Sequence, residues 1–137
     1  MRALFVVPHR LGRNPGQRFR FEQYLPHLHN AGVECVVANL LDERDDQIFY
    51  APGRYLAKAL LFGRTFARRL GHVRAAKTFD VVFIYREAFM TGTTFFEKKL
   101  KRLGAKIIFD FDDAIWLPDV SQANRRLAFL KRPEQTG

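Results

Sequence analysis

The sequence predicts an α/β domain: a Rossmann-like parallel sheet of about four strands with helices on both faces. Three observations carry this. Short apolar runs recur at ALFVV (residues 3–7), VECVVANLL (33–41), DVVFIY (80–85) and the start of KIIFDFDDAIWLP (106–118). The first and third are near-continuously hydrophobic, as strands buried on both faces are. Segments of helical spacing separate the runs, so strand and helix alternate and the crossovers are expected to be right-handed. Residues 1–130 are read as the Rossmann-like unit and the polar tail 131–137 as frayed. A four-stranded sheet is small for such a fold, so the domain is expected to be part of something longer.

The first strand starts almost at residue 1 and ends in His9-Arg10-Leu11-Gly12-Arg13-Asn14-Pro15-Gly16, a loop rich in cations, Gly and Pro. A helix is expected from Gln17 to Asn30, with Phe21, Tyr24, Leu25 and Leu28 on one face; Pro26 argues for a kink or split and Gly32 for the stop. After the second strand, 42–53 is polar, ends in Pro-Gly and reads as a loop. The longest helix is expected over 54–77, with Leu56, Leu60, Phe66, Leu70 and Val73 towards the core and Gly63 weakening its middle. Arg86-Glu87-Ala88-Phe89 leaves the third strand. Thr94 is placed to cap a helix to Arg102 whose late cations suit its dipole. Gly104 leads into the fourth strand, and a last helix is expected from Ser121 to about Leu130.

Composition narrows the function classes. With 137 residues, 47% hydrophobic and 14% aromatic, the chain is long enough to bury a core. Lys and Arg number 23 against 14 acids, a net charge of +9, which implies an anionic partner: nucleic acid, phospholipid, or a phosphorylated or acidic substrate. The single Cys35 permits no internal disulfide and reads as a core residue, in keeping with a reducing compartment. No secretory leader and no apolar run near the ~20 residues of a bilayer span is visible. A cytoplasmic protein, peripheral at most to the inner face of a membrane, is expected.

The candidate site residues converge on the ends of strands. The fourth strand runs into Asp110, Asp112 and Asp113, and open α/β sheets bind ligands outside the carboxyl ends of their strands. Such acids can orient hydroxyls, abstract a proton or hold Mg²⁺ with added waters, or they can cap the next turn and pair with nearby cations. Three bunched Asp make no complete ligand set, so no metal is assigned. Gly16 ahead of a helix, with Arg18 and Arg20, would let an anion or sugar approach backbone amides, although no G-x-G-x-x-G or P-loop pattern is present. His9 reads as a hydroxyl ligand or as a structural group. Arg86 and Glu87 leave the third strand at the same edge, as ligand contacts or as an ion pair. Trp116 reads as a sugar-stacking ring or as core cover. The 54–77 helix carries seven cations within an acid-free stretch from Gln47 to Phe79. It reads either as a solvated face or as a surface for anionic lipid, with Arg64, Arg68 and Arg69 facing the membrane.

Several runs in order, ALFVVPHR, GQRFRFEQYLPHL, FIYREAF and KRLGAKIIFDFDDAIWLP, resemble the N-terminal half of bacterial glycosyltransferases of the GT-B fold, family 4 type. The resemblance spans nearly the whole chain. It implies a Rossmann-like acceptor-binding domain facing a second domain, absent here, that binds the nucleotide-sugar donor without a bound metal. By motif, Gly16, Arg18 and Arg20 would lie in the acceptor-side loop and first helix, Arg86 and Glu87 after strand three, and Asp112 and Asp113 after strand four. His9 joins them as an acceptor contact. Glu87 and Asp112 would orient hydroxyls and are the candidates nearest to catalytic roles. The implied function is the acceptor-binding portion of a retaining, nucleotide-sugar-dependent glycosyltransferase acting on cell-surface polysaccharide or lipid-linked precursors. No cofactor is expected on this chain; the nucleotide sugar would be the donor substrate of the second domain. The competing expectation is a small basic binding module for nucleic acid or a partner protein, although the basic helix offers few stacking rings for nucleic acid.

Overall fold

A computed structural model describes residues 1–111 of the chain. Four strands, β1 (Arg2–Val7), β2 (Glu34–Asn39), β3 (Val81–Tyr85) and β4 (Ile107–Asp110), form one all-parallel sheet in the order β2-β1-β3-β4. The α/β Rossmann-like arrangement is therefore present. The helices are α1 (Pro15–Arg20), α2 (Leu25–Asn30), α3 (Glu43–Tyr50), α4 (Tyr55–Ala75) and α5 (Phe95–Arg102).

Alternation along β1 divides the core between the two sheet faces. Leu4 and Val6 join Ala38, Val82 and Ile84 under α4 and α5, where Val73, Phe96 and Leu100 complete the layer. Ala3, Phe5 and Val7 point the other way, onto Phe21, Leu25 and Leu28 from the α1–α2 side. Phe5, Phe21 and Phe83 stack with centroids 5.1 to 5.9 Å apart. Cys35 packs at the margin of this second cluster.

The expected helix over 17–30 is split. A 3₁₀ turn (Glu22–Tyr24) separates α1 from α2, whose first turn contains Pro26. The break turns Tyr24 out to solvent, off the stripe it was expected to share. Gly32 and Gly104, at φ 79° and 77°, end α2 and α5 in the left-handed conformation that a side chain disfavours. Thr94 stands before α5, but its hydroxyl makes no capping bond.

Two expectations need correction. Residues 42–53 are not all loop: α3 forms because Asp42 and Asp45 make a reciprocal capping box, each side chain accepting from the other's backbone N–H. The inward stripe of α4 is also not the expected one. Lys58, Leu61, Thr65, Arg69 and Val73 are buried, while Leu56 and Leu60 are 77% and 70% exposed. Phe66 and Leu70 pack against the core from its margin. Gly63 does not interrupt the helix.

Among the described residues no strand pairs with the outer edge of β4, and Ile108, Phe109 and Phe111 are exposed there. The expected last helix, the tail and Trp116 lie outside the described residues.

Candidate functional site

The strand order reverses direction between β1 and β3, which opens a crevice at their carboxyl ends. Two loops enter it, 8–14 after β1 and 86–94 after β3.

The first loop is held from beneath. Gln17 of α1 is fully buried, and its side-chain amide donates to the carbonyls of His9 (3.0 Å) and Arg10 (3.4 Å) and to Glu22 Oε1 (2.7 Å). Glu22 in turn accepts from the Gly12 N–H at 2.8 Å. Asn14 caps α1 by accepting from the Gln17 N–H. Opposite lies α3, whose Asp46 receives Arg10 Nη1 at 2.6 Å and Arg13 Nε at 3.1 Å. The Tyr50 ring lies under Arg13 at 5.6 Å and beside the His9 ring at 6.4 Å.

His9 sits at the centre of this cluster. Its Nδ1 is 3.8 Å from Asp46 Oδ1, beyond hydrogen-bonding length, and neither buried atom has a partner among the described residues. Burial lowers the His9 pKa; Asp46 opposes this, while Arg13, Arg86 and Arg10 reinforce it. The imidazole is therefore neutral at physiological pH. A buried donor or acceptor left unmatched costs about 1–3 kcal/mol, so the His9–Asp46 pair carries hydrogen-bonding capacity unsatisfied among the described residues.

Arg86 enters from the other side. Its φ is +64°, where a non-glycine residue is strained, and the Glu87 N–H donates back to the Tyr85 carbonyl at 2.8 Å to close a γ-turn around it. The turn is clamped at both ends: the Arg86 N–H donates to Asp110 O at 2.7 Å and the Ala88 N–H to Glu97 Oε1 at 3.0 Å. Such strain persists only where the surroundings over-determine it, and it concentrates at functional sites. Among the described residues the Arg86 guanidinium makes no hydrogen bond or ion pair, although it is close enough to His9 to repel its proton.

Of the sequence-derived candidates, His9, Arg86 and Glu87 come to this crevice. Arg20 is engaged in a bidentate pair with Asp110, its Nε 3.0 Å from Oδ2, which ties α1 to the end of β4. Asp110 is thus a structural partner. Arg18 is exposed and donates to the Gly12 carbonyl at 3.3 Å. Gly16 lies in the first turn of α1. Asp112 and Asp113 lie outside the described residues. Among the described residues no group of three His, Cys, Asp or Glu side chains is placed to hold a metal ion.

Of the three arginines assigned to a membrane face, Arg69 is buried and does not face outward, while Arg64 and Arg68 are held in ion pairs. Arg69 is 0% exposed; its Nη1 and Nη2 donate to the Ala38 and Val7 carbonyls at 2.8 and 2.9 Å, at the ends of β2 and β1. Burial lowers its pKa to about 9, with Glu97 opposing, so it stays charged at neutral pH. Arg68 reaches Asp45 Oδ2 at 2.7 Å, Asp42 Oδ2 at 3.2 Å and the Leu40 carbonyl at 2.6 Å, and Arg64 pairs with the other Asp45 oxygen. The acids of α3 take up these two cations.

Asp46, Gln17, Tyr50 and Glu97 escaped the sequence reading. The Asp42-x-x-Asp45 spacing was a legible helix start, but nothing local marks Asp46 as the neighbour of His9. No protein-family model matches the chain, and no curated protein or solved structure matches it.

Proposed function

We propose that this chain forms the acceptor-binding portion of a nucleotide-sugar-dependent glycosyltransferase of the retaining class, acting at a membrane face on polysaccharide or lipid-linked precursors. The observation that carries the reading is the crevice between β1 and β3. There Arg86, held at a strained φ and without a partner among the described residues, stands beside a buried His9–Asp46 pair whose hydrogen-bonding atoms are unmatched among them. Anion plus hydroxyl is the chemistry of a sugar acceptor carrying a phosphate or carboxylate. Arg86 would take the anionic group, and His9 with Asp46 would orient a hydroxyl towards a donor sugar held by a second domain. Glu87, next to Arg86, borders the same crevice. Arg20 serves through its pair with Asp110, which shapes one wall.

The test is binding by the purified chain. Hexose 1-phosphates titrated into the ¹⁵N-labelled protein are expected to shift the resonances of His9, Asp46 and Arg86. Arg86→Ala is expected to weaken that binding by roughly tenfold or more, the worth of a charge-assisted hydrogen bond, with Tm held close to the parent. Shifts confined to other surfaces, or an unchanged affinity in Arg86→Ala, would overturn the reading. Binding of duplex DNA instead, falling steeply with salt, would replace it with a nucleic-acid module.

A further inference from the structure

The corrected orientation of α4 leaves a feature that the acceptor crevice does not use. Arg69 reaches the carbonyls that end β1 and β2, so its position marks the level of the sheet's carboxyl edge. Helix α4 begins at Tyr55, so at 1.5 Å per residue its start lies roughly 20 Å from Arg69 along the helix axis. Helix α3 climbs beside it, because Asp45 near its start meets Arg64 and Arg68 while its end leads through Ala51-Pro52-Gly53 into Tyr55. The two form a helical hairpin, joined by residues 51–54, on the carboxyl-edge side of the sheet. Its joined end carries Leu56 and Leu60, the most exposed large hydrophobic residues among the described ones, with Tyr55 about half exposed beside them. Leucines one helical turn apart and this exposed present an apolar patch that the described residues leave uncovered.

From this we infer that the α3–α4 hairpin tip inserts into the surface of an anionic lipid bilayer. Charge complementarity selects lipid. No acid occurs between Gln47 and Phe79, the chain carries +9 overall, and Arg54 at the base of the tip is exposed and without an ion pair among the described residues. The patch is also small. Three side chains fall far short of the roughly 800 Å² per partner that a stable protein interface buries, whereas an interfacial anchor needs only a few apolar side chains and nearby cations. A tyrosine beside leucines suits the headgroup boundary, where its ring is buried and its hydroxyl stays wet. No described helix is long and apolar enough to cross a bilayer, so the contact is with the surface. Binding is carried by Tyr55, Leu56, Leu60 and Arg54, and not by the paired Arg64 and Arg68 or the buried Arg69.

This inference sharpens the membrane placement proposed above, and the two fail separately: vesicle binding is read without sugar, and acceptor binding without vesicles. The full chain is centrifuged with vesicles of phosphatidylglycerol and phosphatidylcholine in equal parts and with pure phosphatidylcholine. It is expected to sediment with the mixed vesicles. The double variant Leu56→Ser, Leu60→Ser is expected to lose roughly tenfold or more of its partitioning, since each leucine buries several methylenes at ~0.8 kcal/mol apiece. Both leucines are exposed, so its Tm is expected to stay near the parent's. Arg54→Gln is expected to weaken binding by a smaller factor that vanishes at high salt. Sedimentation that ignores the leucines and follows salt alone would overturn the inference. So would a concentration-dependent dimer that the double variant abolishes in the absence of vesicle binding, since that would make the tip a contact with a second copy.

Discussion

The carboxyl edge of the sheet carries cations on both sides, and the two sides treat them differently. On the β2 side Arg64, Arg68 and Arg69 are all engaged. Arg64 and Arg68 go to Asp45 and Asp42, and Arg69 goes to the carbonyls of Val7 and Ala38. At the β1–β3 crevice, Arg10 and Arg13 share Asp46, while Arg86 is left without a partner among the described residues and His9 and Asp46 keep unmatched atoms. A high count of arginines therefore says little about where an anion binds. What separates scaffold from site is whether the local acids and carbonyls saturate the charge. On one side they do, and the cations become structure; on the other the saturation is incomplete.

The largest expected effect tests the scaffold side. Arg69→Met keeps an unbranched apolar stem but removes the guanidinium, with its charge and both hydrogen bonds to the strand ends. It should cost on the order of 3 kcal/mol, because buried acceptors lose their donors and Glu97 loses its nearest opposing cation. Urea unfolding followed by circular dichroism reads this as a lower midpoint at unchanged slope. A loss below about 1 kcal/mol would show that Arg69 does not hold the ends of β1 and β2.

The site side should respond in the opposite sense. Arg86→Gly relieves a positive φ, worth about 1–3 kcal/mol, and offsets part of that with the greater freedom of glycine in the unfolded chain, about 0.4–1 kcal/mol. The variant is expected to be about 0.5–1 kcal/mol more stable than the parent while binding hexose phosphate worse. A residue whose removal stabilises the fold and weakens the ligand is one kept for function. Were Arg86→Gly instead less stable, the guanidinium would belong to the scaffold and the contrast between the two sides would collapse.

The strands were legible because burial on both faces of a parallel sheet leaves unbroken apolar runs, and all four lie where those runs do. Helix α4 was legible in extent but not in rotation. Its inward stripe contains Lys58, Thr65 and Arg69, so a reading that sends apolar residues inward turns Leu56 and Leu60 the wrong way. A buried arginine is paid for by carbonyls from residues 31 and 62 positions away, and no local pattern announces such partners. Helix α3 was hidden for a different reason: its polar surface resembles a loop, and only the Asp42-x-x-Asp45 box betrays its start. Of the site, His9 and Arg86 could be named from their places at strand ends. Asp46 could not, because what brings it to His9 is the packing of the α3–α4 hairpin against the first loop.

At neutral pH the smallest effect is that of His72, which reports on the charge buried beside it. Its Nδ1 lies 3.3 Å from Arg69 Nη1, and since a guanidinium only donates, Nδ1 must accept and the ring must be neutral. Burial first, then Arg69 and Arg68, lower its pKa from 6.5 to about 4. Between those values the unfolded chain binds this proton and the folded chain does not, so the folded state loses stability as pH falls. The contribution is complete above about pH 6.5 and gone by about pH 4. His9, lowered mainly by burial, works in the same direction from the site side. His72→Gln preserves an acceptor for Arg69 but cannot take up the proton. Unfolding midpoints measured across this range should therefore fall less steeply in the variant than in the parent, with the two curves converging above pH 7. Parallel curves would mean that His72 does not accept from Arg69, and that the buried cation has found its third partner elsewhere.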